Sequence, residues 1–206
     1  MQKARRTQAE RHQESEQKLI QAAIEMVADR GYDQLRLADL GEAAGFSRGL
    51  AAHYFGNRES LMRRVVVEIL ARTSRSLSES DNPSDDPLEA IFRRLRAAVQ
   101  RWTRAPTDGK ALFAVIAAGV TNEDLAVDIR NHNLTVLGWF SGKFREAIDA
   151  GLVPANIDPD AEARLYFSII RGAGTTDLVQ PGWEAEVIIE RFIASATSSY
   201  AAGVGR

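Results

Sequence analysis

The chain has no cysteine, only six prolines and three histidines, and no long uncharged apolar run. Without cysteine it can form neither disulfides nor thiolate metal sites. No segment approaches the roughly 20 apolar residues that a membrane helix needs, so no membrane contact is expected. The first residues are polar and charged and lack the apolar stretch of a secretory signal, which leaves the cytoplasm as the expected location. His12, His53 and His132 are scattered, and neither an HExxH pair nor a Ser-His-Asp neighbourhood can be drawn from the spacing. The segment GWFSGKF at 138–144 resembles a phosphate-binding loop, but it is one residue short between its glycines, ends in Phe and lies mid-helix. The chain therefore reads as a non-enzyme with no cofactor and no metal. An enzyme would need residues assembled only in space.

No strand alternation appears either, and 206 residues with 45% hydrophobic content suit two small helical domains that share a core. The net charge of -2 is small, but it divides unevenly. Residues 1–64 carry 11 Lys or Arg against 9 Asp or Glu, and the remainder carries 15 against 19. A mildly basic end on an acidic body follows, which favours a nucleic-acid partner only slightly. Residues 1–14 read as a mobile basic arm, in which Lys3, Arg5, Arg6 and Arg11 could follow phosphates or remain a solvated tail.

The most informative segment is LADLGEAAGFSRGLAAHYFGNR at 37–58. Leu37, Leu40 and Ala44 recur at helical spacing, and Gly45 sits where a left-handed helix-ending residue is needed. Ser47 is placed to cap a second helix, with Phe46 before it and Ala51 after its first turn packing backwards. Arg48, Gly49, Leu50, His53 and Tyr54 would then face outward, a set able to donate hydrogen bonds, touch thymine methyls and let the backbone come close to a duplex. Short helix pairs joined by glycine occur in many helical proteins, so the context matters. Upstream, a helix from Leu19 ends at Gly31 with Ile20, Ala23, Ile24 and Val27 on one face. Downstream, Asn57 caps a fourth helix, about 58–75, that carries Leu61, Val65 and Ile69, with Arg58 at its start pointing toward phosphate.

Over roughly 19–61 these residues resemble the TetR family of transcriptional regulators. The ordered matches are Ala22-Ala23, Gly31-Tyr32, Leu37, Leu40, Ala44-Gly45, Ser47 and Gly49, Tyr54-Phe55, then Arg58, Glu59 and Leu61. The resemblance implies an all-α homodimer with an N-terminal helix-turn-helix DNA-binding domain and a C-terminal helical domain for ligand binding and dimerisation. There are departures. Leu35 and Arg36 stand where the family often has two threonines, so Arg36 would replace a phosphate contact. Ala52 stands where a tyrosine is common, and Gly41 where alanine is usual.

The boundaries that follow are 1–14 for the arm, 15–64 for the DNA-binding domain and 65–206 for the effector-binding and dimerisation domain. The segment SRSLSESDNPSDD at 74–86 reads as a surface connection. Asp86, Pro87 and Glu89 then open a helix whose buried stripe is Leu88, Ile91, Leu95, Val99 and Trp102. Further helices are expected over about 108–120, from 121–124 to Gly151, over 158–179 and over a last apolar segment. The 158–179 helix has Leu165, Ile169 and Ala173 on one side and Phe167, Ile170 and Gly174 on another. With Gly172, Ala173 and Gly174 allowing close approach, the last two helices are assigned to a dimeric four-helix interface. An effector pocket is expected among Trp102, Phe113, Trp139, Phe140 and Phe167, with His132, Asn133 and Arg171 as its polar contacts and Asn133 on the buried stripe. The chain thus reads as a repressor that binds a palindromic double-stranded operator as a dimer and leaves it when a small molecule binds. A regulator controlled by a partner protein, or a helical enzyme, stands as the alternative.

Overall fold

In a computed structural model the protein is described over residues 7–79 and 86–204. Nine α-helices and no strand occur among these residues: α1 (Gln8–Arg30), α2 (Leu37–Ala43), α3 (Arg48–Phe55), α4 (Arg58–Glu79), α5 (Pro87–Arg104), α6 (Pro106–Gly119), α7 (Glu123–Asp149), α8 (Pro159–Val179) and α9 (Ala185–Val204). No described helix is long and apolar enough to cross a bilayer.

The helix starts follow local chemistry. Thr7 and Glu10 form a reciprocal capping box at the head of α1, with bonds of 3.2 and 2.7 Å. Polar residues read as part of a mobile arm are therefore helical from Gln8 onward, and Met1–Arg6 lie outside the described residues. Asn57 accepts from the Ser60 amide at 2.8 Å and caps α4, as its position predicted. Asp86 and Asp158 cap α5 and α8, each followed by proline at the first helical position. The serine-rich stretch after 74 does not break α4, which runs on to Glu79, and the centre of the expected connection, 80–85, lies outside the described residues.

Helices α1 to α3 and the start of α4 surround Leu19, Ala23, Ile24, Leu35, Leu40, Ala51 and Leu61, all at most 1% exposed. Helix α5 lies at the centre of the second half, against α4 and α6 to α9. One apolar cluster runs from Leu19 through Trp102 and Phe140 to Tyr200 without a break between the halves. The most extensive helix pairing joins them: α6, rich in alanine and glycine, lies along α1. Such small side chains let backbones approach closely.

At the far end, a hydroxyl chain ties α9 to α8. The Tyr200 hydroxyl donates to Glu162 at 2.8 Å, so the buried Tyr166 hydroxyl is the donor of the 3.0 Å bond to Tyr200. Burial pushes both phenol groups well above their ordinary range.

Candidate nucleic-acid interface and effector cavity

The turn between α2 and α3 is tight. Gly45 has φ 76°, and the Phe46 amide reaches back to the Gly41 carbonyl at 2.8 Å. A Cβ on Gly41 would overlap the Ser47 carbonyl oxygen. Glycine at this position therefore goes with a turn drawn closer to α2 than alanine would allow. Ser47 holds the N-cap position of α3 with extended backbone angles, but its hydroxyl makes no capping bond, and the Leu50 amide bonds the Ser47 carbonyl instead. That hydroxyl is free to face outward.

The outer face of α3 exposes Arg48, Gly49 and His53, while Leu50 and Tyr54 are half-buried. A Cβ on Gly49 would meet nothing. Glycine inside a helix costs about 1 kcal/mol relative to alanine, and nothing inside the protein requires it here. Arg48 reaches across to Glu42 at 2.6 Å, an exposed pair worth little in water and readily exchanged for a phosphate or base. Tyr54 is held from below: its hydroxyl donates to the His12 carbonyl at 3.3 Å, and its ring lies 4.5 Å from the His12 ring. The arm reading could not supply this partner. Ala52, which stands where the resemblance led one to expect a tyrosine, is exposed on the same face. Arg36, just before α2, is exposed as well.

Arg58 has a different place from the one read in the sequence. Its Nε donates to the Leu35 carbonyl at 2.9 Å, and its Nη2 donates to the carbonyls of Tyr32 and Asp33 at 3.0 and 3.2 Å. The guanidinium also lies 5.7 Å from the Tyr32 ring centre. It clamps the start of α4 onto the loop between α1 and α2, which commits three of its five donors. Arg58→Ala is expected to lower stability by about 1.5 kcal/mol, roughly 4 °C in melting temperature. Arg58→Lys should recover little, because a single ammonium cannot span the same fork. Thermal denaturation of the two variants decides this.

In the second half, Thr73, Ala98, Trp102, His132, Phe140, Phe167, Ile170 and Arg171 line one narrow, partly enclosed space whose void admits little more than a single water, about 20 Å³. Of the predicted effector residues, Trp102, His132, Phe140, Phe167 and Arg171 come together there. Phe113 stands behind them, its ring edge-on to Trp102 at 5.3 Å and 5.8 Å from the Arg171 guanidinium. Trp139 does not line the space and instead lies under the Arg94 guanidinium at 3.7 Å. The residue on the buried stripe of α7 is His132 rather than Asn133: the stripe is Leu125, Ile129, His132, Val136, Phe140, Phe144 and Ala147. Asn133, one position round the helix, is half-buried and accepts from Arg171 at 3.3 Å. Thr73 and Arg101 also line the space and carried no sequence signal. Gly174 faces inward under Trp102, where a Cβ would overlap the indole, and Ala173 is buried. Only Gly172 of the three small residues faces outward. The segment 138–144 is ordinary helix.

A profile described as "Bacterial regulatory proteins, tetR family" matches residues 19–65, which cover the second half of α1, all of α2 and α3, and the start of α4. The HTH-type transcriptional regulator CymR of Pseudomonas putida is 37% identical over 91 residues, 43% of this chain and 45% of that protein. The chain thus spans less than half of that relative. An uncharacterized HTH-type transcriptional regulator of Mycobacterium tuberculosis is 29% identical over 148 residues, 70% of this chain and 71% of the other. A putative TetR-family regulator from Rhodococcus sp. superposes with TM-score 0.80 at 22% identity, covering 89% of this chain and 99% of its own. Residues 19–65 thus match the DNA-binding domain of the TetR family. The matched relatives are transcriptional regulators, and the profile match agrees with the helix-turn-helix read in the sequence. FadR of Bacillus subtilis, crystallised with stearoyl-CoA, shares the fold at TM-score 0.76 and 17% identity, over 89% of this chain and 98% of that one.

The fold also changes the titration of His132. Burial, followed by the nearby Arg171 charge, pulls it down to about 4, so the ring is neutral at pH 7. The unfolded chain takes up this proton near pH 6.5 and the folded one near 4. Between those values the unfolded state holds more protons, and stability falls as the pH drops. The depressed carboxylates Glu68, Glu123, Asp160 and Glu190 act only below their ordinary values of 4.5, 4.5, 3.8 and 4.5, which leaves pH 6.5 to 4.5 as the window for His132. Melting temperature should fall across that window in the wild type and run flatter in His132→Gln.

Proposed function

We propose that this regulator is a dimeric repressor that reads a palindromic operator with paired α3 helices and leaves it when a small molecule opens the space around Trp102. The carrying observation is the path of α4. It begins at Arg58, fastened to the DNA-binding half, and passes Thr73 in the wall of the narrow space about 22 Å further along. The division at 64/65 then falls within one continuous helix, with 15–64 serving DNA and 65–206 serving the effector and the second copy.

The duplex would be met by Arg36, Ser47, Arg48, Gly49 and His53, with Leu50 and Tyr54 giving partial contact and Arg58 setting the register of α4. The effector would be met by Trp102, His132, Phe140, Phe167 and Arg171, with Phe113 behind them. A void this small cannot admit a metabolite without moving its walls, so binding pushes on Thr73. A polar relay moves with it. Arg101 donates to the Arg72 carbonyl at 2.8 Å and to Asp108 at 2.9 Å, and Arg72 donates to Gln21 of α1 at 2.8 Å. Half-sites repeat every ~34–36 Å along the duplex, so a tilt that changes the separation of the two α3 helices by a few Å loses contacts on one side. The ligand need only favour the splayed state. Exposed Leu165 and Val187, with outward-facing Gly172, make α8 and α9 the surface for the second copy. The stearoyl-CoA bound to FadR supports a ligand role for this fold.

Band-shift titration against the DNA upstream of the protein's own gene, with the mass in solution measured alongside, tests this reading. A dimer with clear preference over competitor DNA is expected. A monomer on DNA, or equal affinity for competitor, overturns it.

A further inference from the structure

The wall of this space contains two buried nitrogens with nothing to bond. His132 is 8% exposed, and its Nε2 is fully buried with no hydrogen-bond partner. Arg171 Nη1 is in the same condition. Buried donors are almost always satisfied, and two orphans in one cavity call for an explanation. The Ser74 hydroxyl lies 3.4 Å from His132 Nδ1, and with that hydroxyl donating, the ring proton sits on Nε2. Both orphans then carry hydrogens that no acceptor among the described residues takes up.

The charge balance narrows the acceptor. Arg101, the other cation at the cavity, is neutralised by Asp108 at 2.9 Å. Arg171 makes no ion pair among the described residues, and only the Asn133 amide oxygen and the faces of Phe167 and Phe113, at 4.9 and 5.8 Å, attend it. Burial without a counter-charge pulls it down to about 10. A buried cation without a partner is costly, and the remedy is an anion. Around it stand Trp102, Val136, Phe140, Phe167 and Ile170, which offer an apolar lining for the rest of a ligand.

We infer that the effector is a compact carboxylate with an apolar or aromatic body, its carboxylate held by Arg171 Nη1 and His132 Nε2 and its body lodged between Trp102, Phe140 and Phe167. This rests on the effector reading above and adds the chemical class. Arg171 bonds such a group with charge assistance, and the neutral His132 adds a donor without a second positive charge.

The test uses the full-length protein and a panel of arylalkanoic, aromatic and branched aliphatic carboxylates, each beside its primary amide. Thermal shift should find carboxylates that raise the melting temperature by several degrees while their amides do not. Arg171→Gln should weaken the best carboxylate by at least about tenfold, and His132→Ala by less. Without any ligand, Arg171→Met should raise the melting temperature, because it removes an unpaired buried charge. A fall in the ligand-free Arg171→Met variant, equal shifts from amides, or a panel with no stabilising carboxylate overturns the inference. Band shifts on the same samples separate the two readings: operator preference without any carboxylate effect removes only this inference, while carboxylate binding without operator preference removes only the repressor reading.

Discussion

Gly49→Glu is expected to fold at least as stably as the wild type and to lose specific DNA binding by about 100-fold, close to 3 kcal/mol. The two halves of this result have separate causes. Position 49 lies in the first turn of α3, its Cβ direction is open, and no atom of the protein would be displaced. Replacing glycine inside a helix recovers up to about 1 kcal/mol, and a carboxylate near a helix N-terminus is favourable. On DNA the same side chain would stand between α3 and the bases with a charge of the wrong sign. Circular dichroism melting and band-shift titration on one preparation read both. Retained affinity would mean that this face of α3 does not approach the duplex.

Gly174→Val should produce the largest loss of stability of any single exchange considered. Its first added carbon would overlap the six-membered ring of Trp102, which is 4% exposed and has no room to retreat. Overpacking of this kind costs about 2–3 kcal/mol, near 8 °C for a chain of this size. The cause is checked by a cycle with Trp102→Leu, which removes the obstructing ring. The double variant should be more stable than the two single losses added together predict. Losses that add within about 0.5 kcal/mol would show that the valine is refused for some other reason.

The helix-turn-helix was legible because it is built from local signals. Gly45, the apolar spacing of Leu37 and Leu40 and the capping position of Asn57 act within a few residues of themselves, and the structure realises each of them. Long-range partners were not legible. Arg58 looked like a phosphate contact because charge at a helix start favours that reading, whereas its bonds go to carbonyls 23 to 26 residues away. The pocket shows the same division. Aromatic content and spacing located Trp102, Phe140 and Phe167, but a rotation of one residue on α7 exchanged His132 for Asn133 on the buried stripe. Helical periodicity of 3.6 leaves adjacent positions about 100° apart, and a stripe drawn from apolar residues alone does not fix which polar neighbour falls inside it. Gly174 looked like a place for a second chain because small residues suit helix contacts, and the large side chain it accommodates is Trp102 of the same chain.

The pairing of α6 with α1 bears on how the molecule comes apart. Because a single apolar interior runs through both halves, neither has a private reserve of stability to fall back on. Heat or urea should therefore meet one cooperative unit with one transition, and a truncated reading head would leave the flank of α1 bare to water.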